Sequence, residues 1–348
     1  MKKHTKRFCT LGLATVMLFS ALTGCGSNAK VESTDENSEK SGGKTISIKL
    51  ASMNGEDHAS GNAWRYIKDE LESRTDGTLK CEIYWNGALG ADMDNIEQVQ
   101  NGAPMIACAG SPLLGDLVPD ISIVGAPYIY DDLYDYEKLN ASEWWDSIQA
   151  TLSEQGMHAY DMMYCGPRVV CSNKTIKSPA DMQGMKLRAP SSPMYWEICQ
   201  AMTGGSATTL SFSEQYNGLQ QKVVDACEPS YPDLYDCKLY EVTSHVAETN
   251  HMILTSIYYT SEELYNSLPD EYKAVFDQVL TEAGVIYSDD NKALNDEVKD
   301  KLTNEFGIQI DEVDLDAFKE ATEVVYTKFP EWSDGLRETV RTAMGYEN

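Results

Sequence analysis

The sequence predicts an α/β protein of two lobes, on three observations. Strand-like and helix-like patterns alternate from residue 45 to residue 110. The same alternation resumes after Cys165, and the tail from about residue 258 is mostly helical in its periodicity. Alternation of this kind builds open sheets covered by helices. The 348 residues are long for one domain and comfortable for two. A hydrophobic content of 42% is enough for packed cores.

In the first lobe, "TISIKLA" (45–51) alternates apolar and polar residues and reads as a strand. A helix follows, with Trp64, Ile67 and Leu71 on one face and Gly77 as its stop. "LKCEIYW" (79–85) alternates again. Asp92 starts a second helix, with Ile96 and Val99 on its inner side and Gly102 as its stop. "MIACAG" (105–110) is an unbroken apolar run, as in a buried parallel strand. In the second lobe, "RVVCSNK", "MKLRA", "SATTL" and "KVVDACE" read as strands, with a helix over 192–203. Ser211 and Glu214 form a capping box ahead of a helix carrying Tyr216, Leu219 and Gln220.

Two α/β lobes leave a cleft, and ligands of open sheets sit beyond the carboxyl ends of the strands. Arg188 stands at such an end: "MKL" leads to it, and Pro190 cannot donate to a central ladder. Arg168 has a similar setting beside Gly166 and Pro167. On position alone, either arginine is a ligand contact or half of a structural ion pair.

Charge narrows the function. Lys and Arg total 28 against 55 Asp and Glu, for a net charge of -27. Nucleic acid and anionic lipid head groups would be repelled. An anionic ligand would need a deliberately placed cation. Residues 1–24 read as a lipoprotein signal peptide: Lys2, Lys3, Lys6 and Arg7, then an apolar stretch from Phe8 to Leu22, then "LTGC" ending at Cys25. Losing four basic side chains takes the net charge to -31. Cys25 is then the lipidated first residue, and 25–44, almost free of apolar residues, a disordered tether. Lipid on Cys25 would fix the protein to the outer face of the cell membrane.

Seven cysteines remain, an odd number without a CxxC pair, so neither a disulfide framework nor a zinc site is indicated. The five histidines show no metal spacing, and no nucleophile elbow, phosphate loop or dinucleotide fingerprint stands in a suitable place. No cofactor, no metal and no catalytic residue is expected.

Four stretches, "NGALGADMDNIEQVQNGAPMI", "GPRVVCSNKTIKSPADMQGMKLRAP", "LSFSEQYNGLQQKVVDACE" and "KLYEVTSHVAETNHMI", together resemble the substrate-binding proteins of TRAP transporters, the DctP-like family. The resemblance covers roughly 45–330. It implies a periplasmic-binding-protein-like fold with a hinge and a long helix spanning both lobes. The implied partition is 45–165 plus 255–294 for lobe 1 and 166–254 plus 295–348 for lobe 2. The implied function is capture of a small organic acid, such as a C4-dicarboxylate, a 2-keto acid or a sugar acid. Delivery is to a membrane permease driven by an ion gradient, and a monomer is expected.

By the same resemblance, Arg188 clamps the ligand carboxylate and Arg168 adds charge nearby. Phe212 packs on the ligand, Glu228 is retained from the family pattern, and Ser111, Asn54 and His58 supply first-lobe contacts. Two departures bear on the ligand. Pro229 stands where many members carry an asparagine. Gly110 and Met93 replace an acidic and a basic residue of sialic-acid binders. A lipoprotein of this fold serving a signalling receptor, or a secreted carbohydrate-active enzyme, would share the bulk features. An adjacent permease or kinase gene, or turnover of ligand, separates these readings.

Overall fold

The computed structural model describes residues 45–346. Cys25, the signal segment and the tether lie outside them. Among the described residues eleven strands form two sheets. The first has the order β2-β1-β3-β10-β4, from β1 (Ile46–Ala51), β2 (Leu79–Tyr84), β3 (Met105–Gly110), β4 (Met157–Pro167) and β10 (Ile253–Ser261). The second has the order β11-β9-β5-β8-β6-β7, from β5 (Val170–Ser172), β6 (Leu187–Ala189), β7 (Ala207–Thr209), β8 (Ala226–Cys227), β9 (His245–Ala247) and β11 (Gln309–Asp311). The mixed α/β architecture expected from the alternation is present.

β1, β2 and β3 are parallel, joined by α1 (Gly61–Arg74) and α2 (Asp92–Gln100) as the pattern requires. β10 then inserts antiparallel between β3 and β4. All nine residues of β10 are buried, so this strand has no alternation for a sequence reading to find. The expectation of a helical tail from 258 is corrected here: residues 258–261 belong to β10, and helix begins at α8 (Glu262–Ser267). The strand expected over "KVVDACE" shrinks to Ala226–Cys227. Lys222 adopts φ +59° in a turn and Val223 is exposed, so the ladder cannot start earlier. Between these lie α3 (Tyr136–Asn140), α4 (Glu143–Glu154), α5 (Pro193–Thr203), α6 (Gln215–Gln220) and α7 (Tyr231–Asp236).

α9 (Asp270–Asn304) is one helix of 35 residues, about 50 Å long. Phe276, Val279, Leu280, Ala283 and Tyr287 join the core under the first sheet. Val298 and Leu302 join the core on one face of the second. It packs on α1 and β4 and also on α7, so it spans both halves. The chain crosses from the first sheet to the second between Pro167 and Val170, and returns between Ala247 and Ile253. The backbone N–H of Arg168 donates to Met252 O at 2.8 Å, tying the two crossings together.

After α10 (Leu315–Thr322), the chain end returns to segment 119–135. Tyr326 Oη donates to Pro127 O, and Trp332 Nε1 to Ser122 Oγ, both at 2.8 Å. Asp131 N donates to Tyr346 Oη at 2.7 Å, beyond α11 (Leu336–Ala343).

Candidate functional site

A cavity of about 90 Å³ lies where the two sheets face each other. Its walls take residues from the loop after β1, the end of β3, the crossing after β4, the end of β6 and the turn before α6. The cationic side is built by two arginines on neighbouring elements. Both are buried, 5% exposed for Arg168 and 3% for Arg188.

The two differ in their partners. Arg168 grips Glu228 with both ends of its fork: Nη2 donates to Oε1 at 2.6 Å, and Nε to Oε2. Its guanidinium also lies over the Tyr195 ring, 5.0 Å from the centroid. Burial alone would raise the Glu228 pKa. The Arg168 charge, with hydrogen bonds from His251 and Arg168, outweighs that and holds it below the ordinary range. His251 Nε2 stands 3.4 Å from Glu228 Oε2, and Thr249 Oγ1 fixes the ring through Nδ1 at 2.8 Å.

Arg188 has no carboxylate within 4.0 Å among the described residues. Its Nε–H donates to Leu210 O at 3.0 Å. Burial lowers its pKa, Glu228 and Cys227 act against that, and Arg168 pushes it down further. Pro190 ends the strand, so the guanidinium is presented at the cavity edge and not within a continuing ladder.

The cavity also carries acidic side chains, Asp92 and Asp233. Asp92, the first residue of α2, is half-buried, and its carboxyl is pushed up to about 6. Desolvation is the main cause, Asp233 adds to it, and Arg188 works against it. Asp233 receives Ser230 Oγ at 2.8 Å and Asn54 Nδ2 at 3.4 Å. His58 Nε2 stands 3.7 Å from the same carboxylate. The backbone N–H of Ser60 donates to His58 Nδ1 at 3.1 Å, so the neutral ring carries its proton on Nε2.

Of the residues expected at the site, Asn54, His58, Arg168, Arg188 and Phe212 line the cavity. Ser111 and Glu228 do not. Ser111 is fully buried at the start of a 3₁₀ turn, and its hydroxyl pairs with Thr255 Oγ1 at 3.0 Å. Glu228 is buried behind Arg168. Pro229 lines the cavity, and its carbonyl accepts Val169 N–H at 2.9 Å. A Cβ at Gly110 would sit 3.1 Å from Tyr195 Oη, so bare backbone forms that wall.

Sequence reasoning missed Asp92, Tyr195, Gln215, Asp233, Tyr287 and Asn291, all on the wall. Asp92 is visible in the sequence only as a helix start. Tyr287 and Asn291, four apart on α9, share a helix face that reads as core. Cys108 and Cys165 also face the cavity, and all seven described cysteines are free thiols. Among the described residues no group of three His, Cys, Asp or Glu could hold a metal ion, and no helix is long and apolar enough to cross a membrane.

The chain matches the DctP family model, bacterial extracellular solute-binding protein family 7, over residues 50–331. It is 28% identical over 269 residues to the sialic acid-binding periplasmic protein SiaP of Vibrio cholerae, covering 77% of this chain and 83% of that one. A TRAP periplasmic solute-binding protein of Fusobacterium nucleatum, solved with bound sn-glycerol-3-phosphate, superposes with a TM-score of 0.83 at 29% identity, covering 86% and 97% of the two chains. One from Actinobacillus succinogenes with bound L-galactonate gives 0.82 at 26%, covering 86% and 99%. The family match spans most of the chain and the structural likeness extends through both sheets, so the chain belongs to extracellular solute-binding protein family 7, whose members bind substrates for transport and are not enzymes.

Proposed function

We propose that the protein captures a small organic acid by clamping its carboxylate on Arg188, and delivers it to an ion-gradient-driven TRAP permease. The observation that carries this reading is the unequal state of the two arginines. Arg168 is already paired with Glu228, whereas Arg188 is buried at the cavity wall without a carboxylate partner among the described residues. A guanidinium taken out of water is costly unless an anion answers it. Its planar fork fits a carboxylate with two parallel hydrogen bonds. In a chain of net charge -27, a buried cation without an anionic partner is a placed feature. The relatives named above bind sialic acid, a glycerol phosphate and an aldonate, all small hydroxylated anions.

Arg168 sets the position of the crossing strand, with its charge answered by Glu228, and does not take the carboxylate itself. Phe212 supplies an apolar surface at the cavity edge. Asn54 and His58 close from the loop after β1. The lobes approach by bending at the two crossings, with lipid on Cys25 keeping the monomer near its permease.

Arg188→Met tests the reading by calorimetry with the acid that stabilises wild type in a thermal screen. Loss of one partner of a desolvated charge pair costs roughly 3–5 kcal/mol, on the order of a hundred- to a few thousand-fold in affinity. Affinity within threefold of wild type removes the assignment.

A further inference from the structure

The cavity wall offers more hydrogen-bond acceptors than a second anionic group could tolerate. Gln215 is 1% exposed, and its Oε1 has no partner among the described residues. Its Nε2 donates to Phe212 O at 3.2 Å, which fixes the amide so that the oxygen is the unanswered end. Asp92 accepts from no group but its own backbone N–H among the described residues. Among the described residues Asp233 Oδ1 is approached only at 3.4 Å and 3.7 Å, by Asn54 and His58. Since Glu228 cancels Arg168, Arg188 is the one cavity-lining arginine left among the described residues to balance an incoming anion, and Asp92 and Asp233 already line the same cavity.

We infer that the cavity selects an acid with a single carboxylate and with O–H or N–H donors at its far end. Gln215 Oε1, Asp92 and Asp233 receive those donors, and dicarboxylates and phosphate monoesters are rejected. The inference rests on Arg188 as the anchor and adds the opposite pole of the ligand. A buried acceptor left without a donor penalises any ligand that lacks one. A second anionic group would lie against Asp92 and Asp233 in a space with little water to screen it. Sites built to receive a hydroxyl or amine discriminate strongly against analogues without it. Gln215 is therefore a specificity-determining residue.

The test uses the full chain, stripped of bound ligand by unfolding and refolding. Calorimetry is run with D-gluconate, D-galacturonate and D-glycerate as hydroxy acids, and with L-serine and 4-aminobutyrate as amino acids. Succinate, fumarate and glycerol 3-phosphate are the dianions. The tightest probe should be a hydroxy or amino monocarboxylate, with every dianion at least roughly 100-fold weaker. Which of the two donor groups prevails tells hydroxyl from ammonium. Gln215→Met, and separately Asp92→Asn, should each weaken the preferred acid roughly tenfold or more while melting within a few degrees of wild type.

A dianion within tenfold of the tightest probe overturns the inference, as does failure of every donor-bearing acid to bind. Unchanged affinity in both variants also overturns it. If Arg188→Met abolishes binding while dianions match monocarboxylates in wild type, the anchor stands and only the donor pole falls. If Arg188→Met still binds, the anchor itself is wrong.

Discussion

Arg168 and Glu228, sixty residues apart in sequence, meet fork to fork in a buried ion pair beside the strand crossing. Each is costly to bury alone. Arg168→Met leaves the Glu228 carboxylate unpaired, and Glu228→Gln leaves a buried guanidinium with a weaker acceptor. Either single change should destabilise the protein by about 3–5 kcal/mol in urea unfolding. The double variant Arg168→Met/Glu228→Leu should lose less than the worse single. Additive losses would show that the pair does not act as a unit.

Asp92 makes stability depend on pH. Its folded pKa of about 6 lies above the unfolded value near 3.9. The folded state therefore holds the proton more tightly. The stability this provides is fully present below about pH 4 and is lost as the pH rises through 6. At pH 7.5, ligand-free Asp92→Asn should exceed wild type by about 1–2 kcal/mol, allowing for partial exposure to solvent. The difference should vanish near pH 3.5. Parallel curves for the two proteins between pH 4 and 7 would refute the burial of this charge.

Capture between two lobes requires closure at the crossings near Pro167 and Met252. Small-angle scattering with a saturating acid should show a radius of gyration smaller by about 1 Å, and no change in Arg188→Met. Superimposable curves for free and liganded wild type would mean a rigid pocket.

Tethering is tested in cells. Cys25→Ser should move the protein from the membrane fraction to the soluble fraction and leave acid binding by the folded domain intact. A variant that stays with the membrane removes the lipid anchor.

β1 and β2 were legible because each exposes one face, which writes alternation into the sequence, and β3 because its short apolar run closes a local βαβ order. β10 was not legible: both its faces are covered, and its partners lie some 90 to 150 residues away. The site divides in the same way. Arg188 could be found locally, since a short strand and Pro190 set its position. The paired state of Arg168 could not, because Glu228 is remote and belongs to a different strand. Ser111 follows β3 as expected, but the 3₁₀ turn that starts there points its hydroxyl at Thr255. Gln215 stood inside a recognisable block, yet its unanswered oxygen appears only when the amide nitrogen is tied to Phe212.

The insertion of β10 between β3 and β4 sets the order in which the chain can fold. Residues 46–110 can assemble as soon as they emerge, being joined by local βαβ units. Their sheet then waits through about 140 further residues for the strand that joins β3 to β4, so these two stay without their shared neighbour until residue 253 arrives. Two unpaired strand edges held open for that interval invite pairing with other chains. Closing so long a loop late also makes the last step slow. A chain of this topology is therefore most open to wrong pairing while residues 105–167 are made and 253–261 are not.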